Sequence, residues 1–123
     1  MSASTRNIIA WILQGLLALA FILSGAHKFM DLPKTVSGFT GMGLPAWFAY
    51  FIAGAEIAGG IGLLLPRLTR LAAAGLIIIM LGAVYVHATK IPGGIATGGP
   101  AIALLVLLIV VLVLRRPAPL ATS

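Results

Sequence analysis

The sequence predicts an all-α membrane protein, a bundle of four transmembrane helices with both termini on the cytoplasmic side. Three observations predict it. Of 123 residues, 61% are hydrophobic and 8% charged, whereas a soluble domain carries about 25% charged residues. The apolar residues gather into four runs, near 7–30, 45–65, 71–89 and 99–114, and about 20 apolar residues suffice to cross a bilayer. The basic residues fall in the gaps between the runs. No period-2 alternation of the kind a membrane barrel needs is present. Lipid cannot satisfy open backbone groups, so helices are the expected spanning form.

The first run follows a short basic start at Arg6. It exceeds the 7–15 residues of a signal-peptide core, so it reads as a retained helix, although Ser24-Gly25-Ala26 has the small residues of a cleavage site. Residues 31–44 are Gly-rich and amphipathic and read as an interfacial loop. Pro45 suits the first turn of the second span. Pro66-Arg67-Leu68-Thr69-Arg70 is a tight turn into the third span, and Lys90-Ile91-Pro92-Gly93-Gly94 breaks the chain after it. The fourth run is short but very apolar. The whole chain, 1–123, reads as one domain.

Arg6, Arg67, Arg70, Arg115 and Arg116 fall on one side of this topology, and Lys28, Lys34 and Lys90 on the other. The positive-inside rule then places the arginine side in the cytoplasm. The three lysines can snorkel to headgroups. The net charge of +6 is thus a topology signal spread between spans, and nucleic acid is excluded as a partner. With no cysteine, the chain supports no disulfide or thiolate chemistry of its own.

Glu56 is the main candidate for chemistry. It is one of two acidic residues and lies inside the second span, where a carboxylate costs about 2.5 kcal/mol or more, so it marks a functional site by default. Counting roughly 1.5 Å per residue from Arg6 and from Pro66 puts Gln14 and Glu56 at similar depth and Lys28 roughly 20 Å from Glu56. A Gln14–Glu56 hydrogen bond is therefore expected, and a Lys28–Glu56 pair needs tilt or bridging water. Gln14, Phe21 and Lys28 share one face of span one, with Ser24 and Gly25 beside it. His27 and His87 sit near the outer ends of their spans, with Met80 on the His87 face. Glu56 and His87 are the catalytic candidates, in a cavity lined by Lys28, His27, Gln14, Met80, Gly59 and Gly60. Histidine changes charge near neutral pH, which suits proton-coupled transport or quinol chemistry. The small-residue spacings Ala55/Gly59 and Ala58/Gly62 mark helix packing or a homo-oligomer face. There is no P-loop, nucleotide fingerprint or HExxH motif. Two histidines at unmatched depth do not make a haem or metal site, and no metal is expected.

Phe21-Ile22-Leu23-Ser24-Gly25-Ala26-His27-Lys28-Phe29 resembles the SGxxK end of the first helix in the DoxX family. Residues 54–65, from Gly54-Ala55-Glu56 through Gly59-Gly60 to Leu63-Leu64-Leu65, resemble its second helix in the spacing ExxGGxxLL, and Gly43-Leu44-Pro45 also fits. The resemblance implies a four-helix membrane protein linked to membrane redox systems, either quinone-coupled sulfur oxidation or complexes handling oxidative stress. It makes Lys28 and Glu56 the motif's polar residues. Any thiol step then belongs to a partner protein. The function expected from the resemblance is that of a cell inner-membrane protein, a subunit or accessory of a membrane redox system that binds a quinone-like ligand near Glu56. The alternatives are a small proton-coupled multidrug-type transporter, which normally carries its glutamate on helix one, and a non-catalytic assembly module.

Overall fold

A computed structural model describes residues 2–116. Among them there are five α-helices, a short 3-10 turn and no strand. Four helical segments are long and apolar enough to cross a bilayer: α1 (Ala3–Met30), α3 (Ala46–Leu64), α4 (Thr69–Lys90), and α5 (Gly99–Leu114) taken with the 3-10 turn Gly94–Gly98 before it.

Local chemistry explains where each helix begins and ends. Ser2 caps α1 by accepting a hydrogen bond from the Thr5 amide at 3.1 Å, so the helix starts ahead of the expected residue 7. Residues 31–44 are not a loop. Asp31 ends α1 and accepts from the Lys34 amide, with Pro33 in the first turn, so a second helix, α2 (Leu32–Gly41), starts at once. An acidic cap and an early proline are strong start signals, and they outweigh the glycines that suggested a loop. Pro45 stands at the cap of α3, one position before the first turn. The fourth apolar run gains its length from the 3-10 turn, which begins after Gly93 at φ 94°.

The spanning helices form a ring in which α1 packs on α3, α3 on α4, α4 on α5 and α5 back on α1; α2 lies against α3, where Phe39 and Phe48 meet at 6.3 Å. Leu17, Phe21, Leu63, Leu76, Leu108 and Val111 fill the middle. Ile12, Leu16, Leu19, Ile78, Leu81 and Val106 point outward and stay exposed. So much apolar exposure would be a liability in water; in a bilayer it is the lipid-facing surface. Without a hydrophobic drive between helices, close packing must hold the ring. It is tightest between α1 and α3. A Cβ added to Gly25 would lie 2.5 Å from the Ala53 carbonyl oxygen, and one added to Gly60 would lie 2.7 Å from Ile22 Cγ1 and 3.0 Å from the Ala18 oxygen.

One end of the ring is tied by Gln14, which is fully buried. Its Nε2 donates to the Leu63 carbonyl at 2.6 Å and to Thr69 Oγ1 at 3.3 Å, while its Oε1 accepts from Arg115 Nε at 2.7 Å. Carbonyls at a helix end lack intrahelical partners. Here α1 supplies one to α3 and also links the start of α4 to the end of α5.

Gly25→Ala forces a methyl against backbone that cannot yield, and is expected to cost about 1–3 kcal/mol in detergent unfolding. Gly15→Ala, with nothing within 4 Å, is the neutral control. Gln14→Leu is expected to cost about 1–2 kcal/mol, the range of an interhelical hydrogen bond in a membrane, in the same assay.

Candidate functional site

Glu56 sits midway along α3 on the face that meets α1, and is 4% exposed. Its Oε1 accepts from Lys28 Nζ at 2.7 Å and its Oε2 from Ser24 Oγ at 3.1 Å. Lys28 Nζ also donates to Ser24 Oγ at 2.9 Å. The three side chains thus form a closed triangle in which both carboxylate oxygens are bonded. This is the one ion pair among the described residues.

The local sequence dictates the geometry. Ser24 and Lys28 lie one helical turn apart on one face of α1, and a helical side chain leans back toward the N-terminus, so the lysine stem reaches over Ser24 toward the interior. Gly25 lies between them and lets the α3 backbone come close enough for Ser24 to touch the carboxylate. Burying two charges costs several kcal/mol each unless geometry and further hydrogen bonds compensate. The serine supplies the second bond that the glutamate needs.

The direct pair corrects the depth count, which assumed that Arg6 and Pro66 are level. They are not: the end of α3 is level with Gln14, as the Gln14–Leu63 bond shows. From that level Lys28 lies fourteen residues along α1 and Glu56 seven along α3, an offset that reduces the separation to roughly 10 Å at 1.5 Å per residue. The two side chains, each leaning toward the N-terminus of its own helix and so toward each other, cover the rest. The same offset takes Gln14 away from Glu56, so the expected Gln14–Glu56 hydrogen bond is replaced by the tie to Leu63, Thr69 and Arg115.

The other candidates lie elsewhere. Gly60 packs on α1, and a Cβ on Gly59 would meet the Leu76 side chain at 2.6 Å; both glycines face neighbouring helices. Met80 is buried in the apolar core. His87 Nδ1 is 2.9 Å from Thr97 Oγ1 in the 3-10 turn. His27 is exposed in the last turn of α1. Neither histidine bonds to the Glu56 group among the described residues, and no cluster of three or more His, Cys, Asp or Glu side chains there could hold a metal ion. Ser24 is the member of the group that the site reading left out. Its signal was present, a hydroxyl one turn before a lysine on a face turned toward a buried acid.

The comparisons follow the same residues. A family model described as the DoxX-like family matches residues 12–114, a range that contains the whole Ser24–Lys28–Glu56 group. "Putative oxidoreductase CatD" of Bacillus subtilis (strain 168) is 28% identical over 81 residues, 66% of this chain and 60% of that protein. The chain therefore spans less than two thirds of that relative's length. No solved structure matches the chain. With its family model covering all but the ends, and with its polar motif residues joined in one buried triangle, this chain belongs to the DoxX-like family of multi-pass membrane proteins.

Proposed function

We propose that the protein is a component of a redox system in the cell inner membrane, and that the Ser24–Lys28–Glu56 group binds a quinone-like lipophilic carbonyl compound. The observation that carries this reading is the state of Lys28. An ammonium has three donors. Ser24 and Glu56 take two of them, and the side chain keeps 25% of its surface exposed. A third N–H is thus free at the edge of the α1–α3 seam, beside the apolar lipid-facing surface. A quinone carbonyl is an acceptor that partitions to such a place. Glu56 stands behind the lysine as its fixed counter-charge and as a proton acceptor in direct contact.

The family membership and the printed name of the Bacillus subtilis relative support a link to oxidoreduction. The chain has no cysteine, so in this reading any thiol step is carried out by a partner protein, and this chain holds the lipophilic substrate. His87 and His27 lie outside the triangle and have no part in the binding contact.

Titration of the purified protein with decylubiquinone, followed by ultraviolet difference spectroscopy, tests the proposal. Saturable binding is expected, weakened at least tenfold in Lys28→Met; a flat titration of the wild-type protein would sink it. A double-mutant cycle of Lys28→Met with Glu56→Gln measures the pair's structural share. A coupling of about 1–3 kcal/mol is expected for residues in contact. Full coupling combined with no ligand binding would leave the triangle as a structural lock alone.

A further inference from the structure

The opposite end of the bundle from Lys28 holds a second polar feature that the Glu56 group does not use. Where the start of α1, the α3–α4 turn and the end of α5 converge, a cleft of about 360 Å³ is lined by Arg67, Arg70 and Arg115 together with Trp11, Asn7 and Thr69. Three guanidinium groups therefore share one small cleft, and neither acid of the sequence is available to them. Glu56 is bonded to Lys28 and Ser24, and Asp31 caps α2.

Arg115 shows the imbalance most clearly. Its Nε donates to Gln14 Oε1 at 2.7 Å, its Nη1 donates to Asn7 Oδ1 at 2.9 Å, and its Cζ lies 5.2 Å from the centre of the Trp11 ring. These neutral partners fix the plane of the guanidinium but leave its charge uncompensated. Its Nη2 is buried and has no hydrogen-bond partner among the described residues. A buried donor without a partner on a charged group is costly. The start of α4 adds to the field. The helix begins at Thr69 without a side-chain cap, so the open amides of its first turn carry partial positive charge. Arg70 Nη1 donates to the Leu112 carbonyl, which pins a second guanidinium at the cleft wall.

A fork of guanidinium donors matches the oxygens of a phosphate or a carboxylate, and three guanidinium groups in one cleft at the membrane surface suit the phosphate, which offers more acceptor oxygens. The cleft lies at the end of the apolar spans, where headgroups lie, and basic pockets between spans are known headgroup sites. We propose that this cleft binds a phosphate oxyanion, presented either by the headgroup of an anionic phospholipid or as free phosphate, with Arg115 Nη2 as the buried donor and Arg67 and Arg70 closing from the turn.

Arg115 also ties α1 to α5, so Arg115→Gln tests folding as much as binding. The informative variant is Arg67→Gln/Arg70→Gln, since both side chains are exposed, with circular dichroism as the check on helix content. Protein in an uncharged detergent is offered phosphatidylglycerol or phosphatidylcholine and examined by native mass spectrometry. In parallel, inorganic phosphate is titrated calorimetrically. Retention of phosphatidylglycerol over phosphatidylcholine, reduced at least tenfold in the double variant, supports the site and assigns it to lipid. Saturable phosphate binding lost in the same variant, without lipid retention, supports the site and assigns it to the free anion. Equal binding by wild type and variant, equal retention of the two lipids, or no binding of either probe overturns it.

Discussion

The seam between α1 and α3 is the constraint on which the rest of the structure depends. A carboxylate and an ammonium must lie within 2.7 Å of each other in an apolar bundle, and they can do so only if two helices approach almost to backbone contact. Gly25 and Gly60 permit that approach. The same contact holds α3 where Gln14 can reach the Leu63 carbonyl, and Gln14 in turn holds the start of α4 and the end of α5. The polar groups of the bundle thus form two knots along α1, one at each end of the glycine contact, with the apolar core between them.

The two knots differ in how their charge is balanced. At Glu56 one anion and one cation neutralise each other and a hydroxyl completes the hydrogen bonding. At the other end three arginines meet with no acidic partner among the described residues. Buried charge of either kind is expensive in a low-dielectric medium, so the first knot is balanced in charge and has only a spare N–H to offer, while the second carries uncompensated positive charge among the described residues.

Much of this was readable from the sequence, for physical reasons. Length and hydropathy set the number of spans, because bilayer thickness leaves little freedom. Glu56 stood out because an acid in a span is costly, and the SGxxK and ExxGG patterns joined it to Lys28. Depth could not be read. Counting from loop residues treats helices as rods starting at one level, and α1 overhangs the end of α3 by about three turns. The error separated Lys28 from Glu56 and put Gln14 in the wrong knot. Helix α2 was missed because glycine content obscured a cap formed by one aspartate. Arg67, Arg70 and Arg115 were read only as topology signals, since linear spacing says nothing about which loop ends meet in space.

The seam also bears on how the chain enters the membrane. Helices α1 and α3 are successive spans, separated only by the short surface helix α2, so the two partners of the ion pair emerge from the ribosome within one helical hairpin. A lone charge at mid-span costs about 2.5–3.5 kcal/mol on insertion scales. A hairpin delivered to the translocon as a unit presents Glu56 already paired with Lys28 instead of a lone carboxylate. Biogenesis can therefore complete the hardest step before α4 and α5 have been synthesised, and the later spans enter against a wall that already exists.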